Sequence, residues 1–129
     1  MEEFLDPGFL APIQMINLLK FRSRALYEDG RDAYLTGEEA FNIYSRKVNE
    51  LVRASGGDVT FISKIVHLEI GEAEQLWDRA NLASYPSRKV MLDIMSSDRM
   101  REIAIHRTAG LESQPNIETK NGNGLFSMF

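Results

Sequence analysis

"NLASYPSRKVMLDIMS", residues 81–96, changes its periodicity halfway along. Through Tyr85 it reads as a strand. Pro86 has no N–H to give a ladder and ends it. Ser87 can cap a helix that starts at Arg88, and Val90, Met91, Ile94 and Met95 recur at the spacing of a buried helical stripe. "YPSR" (85–88) is therefore first a strand-to-helix joint. Ser96-Ser97-Asp98 can break and re-cap that helix, after which Met100, Ile103, Ala104 and Arg107 continue the period. Gly110 is expected as a left-handed stop, with Leu111 making the accompanying apolar contact.

Reading backward from 81, "WDRANLASY" (77–85) is a strand, and "DVTFISKIVHLEI" (58–70) is another, rich in β-branched residues and bounded by glycine. The two make an antiparallel hairpin. Before them, Thr36 and Glu39 have the spacing of a capping box. Phe41, Tyr44, Val48, Leu51 and Val52 recur at helical intervals until Gly56-Gly57 stops them. "RSRALYEDGRDAYL" (22–35) is an ordered polar surface loop. "IQMINLLKF" (13–21) is a short apolar run of the kind that is buried on both faces. A weak strand is expected over 111–118.

The order is β-α-β-β-α-β, an α+β ferredoxin-like fold with a four-stranded antiparallel sheet. A right-handed crossover puts the first and third strands at its centre. The expected organisation is one domain, 1–129, with its core over 13–118 and a flexible tail over 119–129. Two helices cover only one face of such a sheet. Yet the first strand is apolar on both parities: Met15, Leu19 and Phe21 on one, Ile16 and Leu18 on the other. Leaving several such side chains wet would cost several kcal/mol at ~25 cal/mol per Å2. A homodimer through the sheet face is the expected remedy.

The chain has 129 residues, 43% of them hydrophobic and 26% charged, with net charge −4 and no cysteine. The charge argues against nucleic-acid and polybasic membrane binding. The lack of cysteine excludes disulfides, thiolate metal sites and a cysteine nucleophile. No apolar run is long enough to span a membrane. "MEEFLDPGF" is acidic and interrupted by Pro-Gly, unlike a secretory leader, so a cytoplasmic location is expected. Two histidines without ligand spacing make a protein-built metal site an unpromising reading, and no cofactor fingerprint occurs.

"MINLLKFR" (15–22), "TGEEAFNIYSRKV" (36–48), "GG" (56–57), "WD" (77–78), "YPSR" (85–88) and "HRTAGL" (106–111) run in an order that resembles the family called domain of unknown function 1330. The resemblance covers about four-fifths of the chain. It implies the dimeric α+β barrel superfamily, whose members include cofactor-independent monooxygenases, isomerases and haem-degrading enzymes. The haem-degrading members resemble this chain in an Asn on the first strand, a Trp and a His, but the spacing from Trp77 to His106 does not suit that chemistry.

Asn17 is a poor β former inside an apolar strand, and by alternation it shares a face with Met15 and Leu19. Asn81 on the neighbouring strand can share that face. The pair reads either as two carboxamides facing a ligand or as a buried pair satisfying itself. Tyr44, Trp77, Tyr85 and Arg88 complete the candidate binding set. His106 and Arg107 are the candidate catalytic residues: Arg107 to orient an anionic or carbonyl-bearing compound, His106 to shuttle a proton. The alternative is that both are cations at a helix C-terminus. His67 reads as structural, and Met91, Met95 and Met100 as core. The expected function is small-molecule binding, with cofactor-independent catalysis as its extension. The alternative is a non-catalytic homodimer.

Overall fold

The computed structural model describes residues 10–73 and 76–120. Eight elements succeed one another: β1 (Ile13–Phe21), α1 (Gly37–Ala54), β2 (Asp58–Lys64), β3 (Arg79–Tyr85), α2 (Arg88–Met95), α3 (Asp98–Gly110), β4 (Leu111–Ser113) and β5 (Asn116–Lys120). The sheet runs β2-β3-β1-β4, and β5 also pairs with β1. All pairings are antiparallel, with β1 and β3 central. This is the ferredoxin-like arrangement that the element order predicts.

Local chemistry sets the boundaries. Thr36 accepts from the Glu39 N–H at 3.1 Å while Glu39 accepts from the Thr36 N–H at 2.9 Å, closing the capping box of α1. Gly56, at φ +89°, takes the left-handed turn that ends it. Ser87 caps α2 through the Val90 N–H at 3.1 Å, and Ser97 re-caps the chain for α3 through the Met100 N–H at 3.1 Å.

Several boundaries differ from expectation. The last strand comes in two pieces because Pro115 has no N–H to give; its carbonyl still accepts from Leu18 N at 3.1 Å. The hairpin strands are shorter than 58–70 and 77–85. Asp78 turns to β1, where it accepts from Phe21 N at 2.8 Å and donates its own N–H to Leu19 at 2.7 Å. Beyond Ile65 the chain is left without a ladder, and Val66 and Ile70 are 79% and 91% exposed. Gly110 is not left-handed. Its carbonyl accepts from Arg22 N at 2.8 Å, and a Cβ there would stand 2.4 Å from the Gly37 carbonyl oxygen. Glycine is needed for close approach of two backbones, a role the stop-signal reading did not include. Residues 119 and 120 belong to β5, and the rest of the expected tail, 121–129, lies outside the described residues.

One core cluster joins Ile13, Leu19 and Tyr85 of the sheet to Phe41, Val52, Ile94 and Ile103 of the helices. A second pins the 22–35 loop: Ala25 and Tyr27 pack on Ala40 and Ala109, and Leu26 N donates to the Ala109 carbonyl at 2.9 Å. The other sheet face carries an apolar row across four strands. Phe61 pairs with Leu82, Leu82 with Ile16, and Ile16 with Ile117. Phe61 is 53% exposed and Ile117 46%.

Candidate functional site

A cavity of about 180 Å3 lies between the helix-facing side of the sheet and the helices. The sheet supplies Met15, Asn17, Val59, Asn81, Ala83 and Tyr85. The helices supply Phe41, Tyr44, Val48, Met91, Met95 and Arg107, and the interrupted edge strand adds Gln114 and Asn116. Alternation on β1 aims Met15 and Asn17 inward together, and the strand register does the rest. Asn17 is paired with Asn81 on one side and Asn116 on the other, so three carboxamides cross the cavity floor in one row. Asn17 Nδ2 donates to Asn81 Oδ1 at 2.6 Å. A carboxamide has two donors and an acceptor. Among the described residues, Asn17 Oδ1 and Asn81 Nδ2 find no further protein partner.

The Arg107 guanidinium stands 5.6 Å from the centroid of the Tyr44 ring. Among the described residues no carboxylate forms an ion pair with it. Burial pushes the Tyr44 hydroxyl above the usual tyrosine range, and the Arg107 charge partly opposes this. Burial, with a smaller contribution from Tyr44, pushes Tyr85 up to about 12. Both phenols stay neutral near pH 7.

The structure thus brings Asn17, Tyr44, Asn81, Tyr85 and Arg107 together around one cavity, while Trp77, Arg88 and His106 are not part of its lining. Trp77 is half-buried just ahead of β3. Arg88 Nε donates to Glu118 at 3.0 Å, and its Nη2 makes a second contact there, tying the start of α2 to β5. His106 and Arg107 are chain neighbours, and a helix turns about 100° per residue. Arg107 enters the cavity while His106 meets the 22–35 loop, where its Nδ1 lies 2.6 Å from the Tyr27 hydroxyl, ring edge to ring face. Gln114 and Asn116 had no legible signal, because the break at Pro115 hides which way the residues after it face.

The Tyr27–His106 contact yields a pH prediction. Burial, followed by Lys47 and Arg31, holds the imidazole below its ordinary value of 6.5, with Asp32 pulling the other way. The unfolded chain therefore takes up this proton at higher pH than the folded one. The stability carried by neutral His106 is complete above about 6.5 and is lost as pH falls below it. In urea titrations His106→Gln should lose less stability than the parent between pH 7.5 and 5.5; equal losses would contradict the assignment. Tyr27→Phe removes one hydrogen bond and should cost about 0.5–1.5 kcal/mol at pH 7.5.

A larger depression, about 430 Å3, lies between the same loop and α3, lined by Leu26, Tyr27, Arg31, Arg101 and Ile105 among others. It is more open, and its arginines are already paired, Arg31 with Asp29 at 2.6 Å and Arg101 with Asp98 at 2.8 Å. The smaller cavity, with its unanswered polar atoms, is the better candidate. Among the described residues no helix is long and apolar enough to cross a membrane.

A ferredoxin-like α+β chain with a polar cavity under its helices is the class that these features define. No family model and no curated protein matches the sequence. Among solved structures it is similar to RPA0582, a protein of unknown function from Rhodopseudomonas palustris. Identity is 30% over 93% of this chain and 89% of that one, with a TM-score of 0.80. The methylated form of RPA0582 gives 32%, 93%, 87% and 0.81. The chain belongs to the family of that Rhodopseudomonas palustris protein. The hydroxynitrile lyase of Passiflora edulis shares the fold at 9% identity, over 90% of this chain and 98% of its own, with a TM-score of 0.60. SnoaB, a cofactor-independent oxygenase from Streptomyces nogalater, does so at 9%, over 89% and 97%, with 0.56.

Proposed function

We propose that this chain is a small-molecule-binding protein whose cavity takes a compact anionic or carbonyl-bearing compound. The observation that carries this reading is the row Asn81–Asn17–Asn116 across the cavity floor, with amide atoms unanswered by protein and Arg107 beside it. The one bond between Asn17 and Asn81 leaves amide donors and an acceptor available to a compound in the cavity. The cavity is smaller than the ~300 Å3 common for ligand pockets, so the compound is small. The motif resemblance to the domain of unknown function 1330 family is part of the same proposal, as is a cytoplasmic, single-domain chain.

The partner in this reading is a second copy, joined through the sheet face in the manner of a dimeric α+β barrel. Phe61, Leu82, Ile16 and Ile117 form the contact row. Catalysis without a cofactor, monooxygenase- or isomerase-like, is the extension that the family resemblance implies, and the name of the cofactor-independent oxygenase neighbour is in keeping with the first of these. A specific observation favours binding without catalysis: no histidine or carboxylate lines the cavity among the described residues, so general acid–base work there would fall to a neutral tyrosine.

The test replaces both carboxamides, Asn17→Leu with Asn81→Leu. Exchanging a hydrogen-bonded pair for apolar groups of similar shape is near neutral for stability. If the row serves a ligand, the double variant keeps or gains urea stability and loses its binding of small compounds in ligand-observed NMR. A loss of more than about 2 kcal/mol with binding unchanged would assign the row to the fold instead.

A further inference from the structure

The cavity lining carries one formal charge among the described residues, that of Arg107. It lacks a carboxylate partner, and no second cation joins it. The same lining holds a second unanswered group. Tyr85 is 7% exposed, and among the described residues its hydroxyl has no hydrogen-bond partner. The hydroxyl is open to the cavity and able to bond whatever enters it. Between these groups the walls are apolar and adaptable: Met15, Val59, Met91 and Met95. At about 30 Å3 per water the volume equals roughly six waters, enough for a small ring or short chain.

We infer that, given the binding role proposed above, the ligand is a small monocarboxylate with an apolar body and one further oxygen. Its carboxylate sits on Arg107 and its second oxygen on the Tyr85 hydroxyl. The charge count selects this class. A cationic ligand would face Arg107 with no carboxylate to receive it. A dianion would bring one charge more than the single cation of the lining neutralises, and an unpaired charge partly removed from water is disfavoured. A wholly apolar compound would give the guanidinium no anion beyond its contact with Tyr44, and would leave the Tyr85 hydroxyl unanswered.

The experiment titrates the full-length protein with 3- and 4-hydroxybenzoate, benzoate, and 3- and 4-hydroxybenzyl alcohol, using ligand-observed NMR. The parent should bind one of the hydroxybenzoates tightest. The matching alcohol should be weaker by roughly ten- to a hundredfold, as loss of a charge-assisted contact implies. Benzoate should be weaker by about two- to tenfold. Arg107→Gln should abolish the preference for acid over alcohol while leaving alcohol binding in place, and Arg107→Lys should keep part of it. Tyr85→Phe should abolish the preference for hydroxybenzoate over benzoate. If alcohol and acid bind the parent equally well, the monocarboxylate assignment is overturned and the binding role stands. If none of the five compounds and no member of a neutral fragment set binds, both fall.

Discussion

Gly37→Ala is expected to destabilise the protein by at least about 3 kcal/mol, the upper range of overpacking changes. Helix propensity alone points the other way, since alanine is better than glycine inside a helix by up to ~1 kcal/mol. Geometry decides the sign. A Cβ on Gly37 would lie 2.1 Å from the Arg22 carbonyl oxygen and 2.6 Å from both Arg22 N and the Gly110 carbonyl oxygen. All three are backbone atoms, so no side-chain rotamer can move aside. The same crossing carries two ladder-like bonds, Gly37 N to Arg22 O at 3.1 Å and Arg22 N to Gly110 O at 2.8 Å, which a displaced helix would lose. Gly110→Ala meets the same crossing from the other side, and the double variant should cost less than the sum because one displacement of the crossing accommodates both added methyl groups. Gly30→Ala is the control. Gly30 has φ +79° but nothing within 4 Å, so only left-handed strain of about 1–2 kcal/mol applies. A urea midpoint for Gly37→Ala equal to or above the parent's would show that the crossing is not tight.

The second large effect concerns assembly. Leu82→Asp is expected to convert a dimer into a folded monomer. Leu82 sits in the middle of the row that runs Phe61, Leu82, Ile16, Ile117. In an isologous interface one substitution places two carboxylates in the contact, each displacing an apolar group worth about 2 kcal/mol of burial and adding the cost of a charge without water. Losing ~4 kcal/mol weakens association by roughly a thousandfold. Sedimentation velocity at micromolar concentration should give a halved mass with unchanged far-ultraviolet circular dichroism. A parent that already sediments as a monomer would remove the basis for the barrel assembly. The substitution is directed at the exposed face, away from the Leu19–Ile103 core, which explains why the monomer itself should stay folded.

Much of the fold was legible because its determinants are local. The Thr36–Glu39 capping box, the Ser87 and Ser97 caps and the left-handed Gly56 all depend on residues within four positions of one another. The two apolar parities of 13–21 announced a strand wanted on both faces, and the same parity predicted that Asn17 and Asn81 would share one. Their 2.6 Å contact results from that alternation plus the central β1–β3 pairing. At two of the places where expectation and structure differ, a non-local partner had taken over. Asp78 gives its N–H to Leu19 of β1 while its carbonyl still accepts from Ile65 N at 2.9 Å, and Gly110 serves Gly37, seventy-three positions away in sequence; Pro115 cut the last strand for the local reason that it has no N–H.

For the candidate site, residue type alone nominated eight positions, and helix phase sorted two of them. His106 and Arg107 are adjacent in sequence, so no pattern can say that one faces the loop and the other the cavity until α3 is docked on α1. That docking depends on the Gly37–Gly110 approach, which sets the rotation of α3 and hence which of its side chains reach Tyr44. The amino-acid order by itself determined the elements, their caps and the faces each strand presents, because those derive from dihedral preferences and a period of two or 3.6. Only the packed structure decided that Asn116 joins the carboxamide row, that Tyr85 stands unanswered beside the cavity of Arg107, and that His106 belongs to Tyr27. Those are distances between segments remote in the chain, and close packing, not local propensity, sets them.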